Sequence, residues 1–109
     1  MQVQGKVVVV TGGAKGIGAA TTRKFIENGA SVAIVDLDDY SGNKLTQELG
    51  KKSIYIHADV TNESDVSQIF QHTVSEFGQI DVLVNNAATT SGKSLFDSDL
   101  ATWQKDQDS

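Results

Sequence analysis

The chain has 109 residues, a formal net charge of −5 and no cysteine, so it bounds one domain with a core of modest size and excludes disulfides, thiolate metal sites and a cysteine nucleophile. The acidic balance argues against nucleic acid and against an anionic membrane as partners, because both would repel the chain. Hydrophobic residues make up 39% and charged residues 21%, an ordinary soluble composition, and the opening Met1-Gln2-Val3-Gln4-Gly5-Lys6 has no apolar leader, so a cytoplasmic protein is expected.

The run Val7-Val8-Val9-Val10 is continuous and β-branched, which predicts a strand buried on both faces of a helix-covered parallel sheet. Ile17, Ala20 and Phe25 mark a first helix, closed by Asn28-Gly29. Val32-Ala33-Ile34-Val35 predicts a second buried strand, and Leu45 and Leu49 mark a weaker helix closed by Gly50. Ser53-Ile54-Tyr55-Ile56-His57 alternates, which predicts a strand near an edge with one wetter face. Val66, Ile69, Phe70, Val74 and Phe77 fall at spacings of three and four, the apolar stripe of a third helix. Asn62 is placed to cap its start, Asp65 completes an imperfect capping box, and Gly78 is placed to stop it. Val82-Leu83-Val84 predicts a fourth strand. From Thr89 the residues turn polar, and residues 95–103 open a further helix. There is no linker, tandem repeat or low-complexity run, and with no proline in the chain glycine makes the turns. Strands alternating with helices at this spacing predict right-handed crossovers and an α/β fold with a parallel sheet.

The strongest motif is Thr11-Gly12-Gly13-Ala14-Lys15-Gly16-Ile17-Gly18, set between a predicted strand and a predicted helix, as a phosphate-cradling loop requires. Gly12 allows a tight turn out of the strand. Gly16 lets the backbone approach a pyrophosphate, and Gly18 lets the new helix pack tightly on the strand. The helix start then turns unpaired N–H groups and the positive end of its dipole toward the phosphates. Asp36 ends the second predicted strand, where a carboxylate accepts hydrogen bonds from the adenosine ribose hydroxyls and repels a 2′-phosphate. Asp36 therefore favours NAD over NADP. Lys15 pulls weakly the other way, since a basic residue in this loop could meet a phosphate.

With these residues the chain resembles the short-chain dehydrogenase/reductase family from about Gly5 to Trp103. The Thr-Gly-x-x-x-Gly-Ile-Gly loop, including Lys15 and Ile17, resembles that family's cofactor signature. The resemblance adds Asp59-Val60 after the third strand, with the carboxylate expected at the adenine amino group and Val60 along the base pocket. It also adds Asn85-Asn86-Ala87-Ala88 after the fourth strand, where Ala88 stands in place of the family's glycine. Asn86 and Ala87 are expected along the cofactor ribose, and Asn85 is expected to hold neighbouring strands. Two amides at the carboxyl end of a strand also suit a ligand site at the switch point of an open α/β sheet.

The expected fold is thus a Rossmann-type doubly wound parallel sheet of order 3-2-1-4 with helices on both faces, truncated and filling residues 1–109 as a single half-domain. The resemblance implies hydride transfer between nicotinamide and a small alcohol or ketone, in a parent that is a homo-oligomer. In that chemistry a Tyr acts as general acid/base beside a Lys, one helical turn apart as Tyr-x-x-x-Lys. Tyr40-Ser41-Gly42-Asn43-Lys44 has that spacing, but it follows Asp36 closely and so belongs to the adenosine end. The working Tyr, Lys and Ser are expected beyond Ser109, so no catalytic residue is assigned and the isolated chain is expected to be inactive. His57 and His72 have no matching third ligand, and Asp36, Asp38 and Asp39 form no calcium loop, so no metal site is expected. With its fourth strand a nearly bare edge, the chain is expected to self-associate or to need further sequence. The rival reading is a non-catalytic NAD-binding or protein-interaction module.

Overall fold

A computed structural model of the chain describes residues 2–86. In chain order its elements are β1 (Val7–Thr11), α1 (Gly16–Glu27), β2 (Ser31–Asp36), α2 (Asp39–Leu49), a 3₁₀ turn (Gly50–Lys52), β3 (Ser53–His57), α3 (Glu63–Phe77) and β4 (Val82–Asn85). The four strands form one parallel sheet in the order β3-β2-β1-β4, as read from the sequence. The helix expected over residues 95–103 lies outside the described residues.

Strand periodicity divides the core in two. Val9, Ala33, Val35 and Ile56 point to one face and pack with Val66, Ile69 and Phe70 of α3. Val8, Val10, Val32 and Ile34 point to the other and pack with Ala19 of α1 and Leu45 of α2. This is the physical content of the continuous valine runs: with helices on both sides, neither set of alternating side chains meets water. All five residues of β1 are buried, whereas Val82, Leu83 and Val84 of β4 are half-buried. The start of β4 is tied to β1 by Asp81, whose N–H donates to the Val7 carbonyl and whose carboxylate accepts the Val7 N–H, both at 2.8 Å.

The helix ends follow the sequence reading. Asn62 caps α3 by accepting the Asp65 N–H at 3.0 Å, and Gly78 ends it in the left-handed region at φ 86°. The second half of the expected capping box is absent. The Asp65 carboxylate instead accepts the Asp59 N–H at 2.9 Å, while the Asn62 N–H donates to the Asp59 carbonyl.

The face that α1 buries differs from expectation. Ile17 is 77% exposed, Ala20 is exposed and Phe25 half-buried, while Gly18, Ala19 and Thr22 face the sheet. The reason is distance. An added Cβ at Gly18 would lie 1.8 Å from the Gly12 carbonyl oxygen, so the inner face of this helix has room only for small side chains. The residues touched belong to the loop leaving β1 rather than to the strand itself.

At the β3 edge, the wetter face is that of Tyr55. Its ring lies under α2, where an added Cβ on Gly42 would come within 2.2 Å of it. The helix forms through Gly42, and the missing side chain is what admits the ring.

Candidate functional site

The carboxyl ends of β1, β2 and β3, with the loops that follow, surround a cleft of about 120 Å³. Gly12, Asp36, Leu37, Asp59, Val60 and Thr61 are among the residues that line it. Four residues singled out from sequence therefore meet in one place: Gly12 from the β1 loop, Asp36 from the end of β2, and Asp59 and Val60 after β3.

Gly12 and Gly16 adopt φ of 62° and 56°, left-handed values that cost a side-chain-bearing residue about 1–2 kcal/mol. An added Cβ at Gly16 would meet nothing within 4 Å, so the space over the loop is open. Lys15 occupies the cap position of α1 in extended conformation but makes no side-chain capping bond, and no acidic residue stands in the first turn. An uncapped helix start carries unpaired N–H groups and partial positive charge.

Asp36 is half-buried and held at both carboxylate oxygens. The Ala14 N–H donates to Oδ2 at 3.1 Å, while the Leu37 and Asp38 N–H groups donate to Oδ1 at 2.8 and 3.2 Å. The first of these bonds ties the end of β2 to the glycine loop. Asp38 caps α2, accepting the Ser41 N–H at 3.1 Å and the Ser41 hydroxyl at 2.9 Å. It also pairs with the Lys15 ammonium at 3.3 Å. The Ser41 N–H, the Ser41 hydroxyl and then Lys15 hold the Asp38 carboxyl below its ordinary range. Asp59 accepts the Thr61 hydroxyl at 2.6 Å and the Thr61 N–H at 2.9 Å, in that order the causes of its own lowered pKa. Val60 is buried and shares a core cluster with α3, so it forms a fixed apolar wall.

At the end of β4, the Thr11 hydroxyl donates to Asn85 Oδ1 at 2.9 Å and accepts the Asn86 N–H at 2.9 Å. Asn85 thus joins β4 to β1. Asn86 is exposed beside it, while Ala87 and Ala88 lie outside the described residues. Ile17 projects from α1 into the open and does not join the cleft.

Tyr40 and Lys44 stand one turn apart on α2, the ammonium 6.0 Å from the ring centre, and Tyr40 is 76% exposed. They belong to the β2 side of the sheet, whereas β4 flanks β1 on the other side. His57 contacts Asp39 at 2.7 Å, and the Tyr55 hydroxyl reaches the same carboxylate oxygen at 2.7 Å. The Tyr55 hydroxyl, then His57, lower the Asp39 pKa. Burial, with Asp39 beside it, raises that of Tyr55. His72 is an exposed residue of α3. Among the described residues no group of three or more His, Cys, Asp or Glu is placed to hold a metal ion.

Two contributors escaped the sequence reading. Leu37, 57% exposed, offers an apolar surface at the mouth of the cleft, and its only signal was an apolar residue directly after Asp36. Thr61 anchors Asp59; a hydroxyl two residues after an acid is a recognisable turn pattern.

The parallel sheet, the glycine loop and the carboxylate at the end of β2 define an α/β protein of the Rossmann kind. Comparison with known proteins takes this further. The model of the short chain dehydrogenase family matches residues 6–106. Tropinone reductase-like 1 of Erythroxylum coca is 46% identical over 94 residues, covering 86% of this chain and 35% of the relative. Momilactone A synthase of Oryza sativa subsp. japonica is 51% identical over 87 residues, covering 79% and 32%. The structure of 3-ketoacyl-(acyl-carrier-protein) reductase from Brucella melitensis, complexed with NADH, superimposes with a TM-score of 0.72 at 34% identity, covering 73% of this chain and 33% of that one. The chain belongs to the short-chain dehydrogenase family. It spans about a third of the length of the curated relatives it matches.

Proposed function

We propose that these 109 residues form one dinucleotide-binding unit of an oxidoreductase that moves hydride between nicotinamide and a small alcohol or ketone, with NAD preferred to NADP. The observation that carries the reading is the pairing of an open, uncapped start of α1 with a carboxylate fixed at the end of β2 by the Ala14 N–H. The residues present fit a dinucleotide. Gly16 leaves space over the loop, and the α1 N–H groups face that space as donors for a pyrophosphate. Asp36 retains acceptor capacity for ribose hydroxyls, because an ionised carboxylate has about four lone-pair sites and three are used. Its negative charge disfavours an added 2′-phosphate. Leu37 and Val60 supply apolar walls for a base, and Asp59 supplies an acceptor beside them. Asn86 and Ala87, following β4, are assigned to the ribose nearer the nicotinamide.

The bound nicotinamide would supply the hydride chemistry. This chain's own part is to bind and orient: the loop anchors the phosphates, Asp36 sets the adenosine end, and the Thr11 lock holds the start of the Asn86 segment against β1. No residue from Met1 to Ser109 is assigned the proton transfer, so the isolated chain is expected to bind cofactor without turnover.

The test is thermal unfolding followed by circular dichroism, with and without millimolar NAD or NADP. A ligand that binds only the folded state raises the midpoint by RT ln(1 + [L]/Kd) in free energy. A cooperative melt shifted upward by NAD, and less by NADP, is the expected result. A cooperative melt that neither dinucleotide shifts would overturn the assignment.

A further inference from the structure

Lys15 and Asp36 make opposing demands. A lysine in the glycine loop is a ready partner for an extra phosphate, whereas a carboxylate at the end of β2 repels one. How the chain reconciles them is visible in a third residue. Lys15 does not stand free: its ammonium is paired with Asp38 at 3.3 Å. Asp38 is itself fixed. Its two carboxylate oxygens accept the Ser41 N–H and hydroxyl at the start of α2, and its own N–H donates to Asp36. The end of β2 is therefore joined to the glycine loop at three points, by the Gly13 N–H on the Val35 carbonyl, by the Ala14 N–H on Asp36 and by Lys15 on Asp38.

We infer that Asp38 is a second determinant of dinucleotide selectivity, a positioning residue that keeps the Lys15 ammonium paired and so denies it to the 2′-phosphate of NADP. The inference rests on the cofactor assignment above and deepens it. Asp36 repels the extra phosphate, and Asp38 withholds the glycine-loop cation that would meet it. The pair is exposed, 63% at Lys15 and 32% at Asp38, so its hold is of the modest size of surface ion pairs. Its effect is on which of two ligands is chosen rather than on whether the chain folds. The nearby charges are consistent with this. Asp36, Asp38 and Asp39 are three acids in four residues, and Asp39 is engaged by Tyr55 and His57 on the far side. Lys15 thus has Asp38 as its ion-pair partner among the described residues.

The decisive variant is Asp38→Asn, which keeps an oxygen to cap α2 but removes the charge that holds Lys15. Calorimetric titration of the 109-residue chain with NAD and with NADP reads the ratio of the two affinities. For Asp38→Asn the ratio is expected to move toward NADP by roughly three- to fivefold, the upper end of the range of a surface ion pair. The same change in a Lys15→Met background is expected to leave the ratio unmoved, because the cation it would release is gone. An equal movement in both backgrounds would mean that Asp38 acts only by its own charge, and the inference fails. No movement in either background also overturns it, while leaving NAD binding and the cofactor assignment intact. Failure of the unsubstituted chain to bind either dinucleotide overturns the assignment itself, and the inference with it. Asp38→Glu restores the charge, and return of the ratio toward the original would separate selectivity from a merely structural loss.

Discussion

The three helices of the described fold do not begin alike. At α2 the Asp38 side chain accepts an N–H of the first turn, and Asp39 adds negative charge there. At α3 Asn62 does the same, with Glu63 and Asp65 in the first turn. At α1 the cap position holds Lys15, whose side chain makes no capping bond, and the first turn has no acid. A side-chain cap contributes about 1 kcal/mol, so the chain forgoes that stabilisation at one helix and takes it at the other two. The helix left open is the one that starts from the glycine loop, over empty space. Where stability alone governs a helix start, the positive end of the dipole is quenched; where it is left unquenched, the donors are available to an anion.

The largest test of this contrast is steric. Gly18→Ala places a methyl 1.8 Å from the Gly12 carbonyl oxygen, a backbone atom that cannot swing aside. The start of α1 must move away from the loop. A loss on the order of 3 kcal/mol in chemical denaturation is expected, together with loss of dinucleotide binding. Gly16→Ala meets no neighbour and pays only for its left-handed backbone, about 1–2 kcal/mol, yet its methyl stands in the open space over the loop. It should cost less stability than Gly18→Ala while still weakening the binding of NAD. Equal stability losses at the two positions would break the distinction.

Exchanging caps comes next. Asn62→Ala removes the α3 cap and should lower stability by about 1 kcal/mol without changing the affinity for NAD. Lys15→Asn does the reverse. It offers α1 the cap it lacks, a gain of up to about 1 kcal/mol, offset in part by the lost pair with Asp38. Its amide oxygen would compete for the N–H groups assigned to the pyrophosphate, so NAD affinity should fall by about fivefold, the equivalent of one such hydrogen bond. A chain that is stabilised by Lys15→Asn and binds NAD as tightly as before would mean that the open start of α1 is not where phosphate is held.

Much of this architecture was legible in the residues. The valine runs and the Asn62 and Gly78 boundaries follow from patterns whose cause is local: β-branching, a capping side chain, a glycine at positive φ; the strand order came with the family resemblance. The glycine loop and Asp36 were legible for the same reason, since their spacing is set by one turn and one strand. The buried face of α1 was not. The glycine motif marked Gly18 as a point of close packing, but Ala19 and Thr22, buried with it, are small residues that carry little periodic signal. Nor was the Lys15–Asp38 pair, whose members are joined only when the parallel register of β1 and β2, Thr11 beside Val35, brings two loops side by side. Asp65 shows the same limit. Its reach to the Asp59 N–H depends on where the loop after β3 turns, and no spacing along the chain predicts that.

The smallest expected effect separates the two capped helices from each other. The α2 cap is a carboxylate and the α3 cap an amide, so only the first can titrate. The Asp38 carboxyl is held below its ordinary value of 3.8 by the Ser41 N–H, the Ser41 hydroxyl and Lys15. A group whose folded pKa lies below its unfolded one contributes stability that is complete above the unfolded value and is lost as pH falls through the folded one. The α2 contribution is therefore constant from neutrality down to about pH 4 and declines below that. Asp59, lowered by Thr61, behaves alike at the mouth of the cleft. Melting midpoints recorded from pH 6 to pH 2 should fall for the unsubstituted chain and fall less steeply for Asp38→Asn, whose cap carries no proton to gain. Asn62→Asp should do the opposite, matching the original near neutrality and dropping more steeply in acid, because a titrating cap has been placed on α3. If Asp38→Asn followed the original curve throughout, the Asp38 carboxylate would contribute nothing to α2 beyond what an amide supplies, and the contrast among the three helix starts would reduce to the presence or absence of a cap.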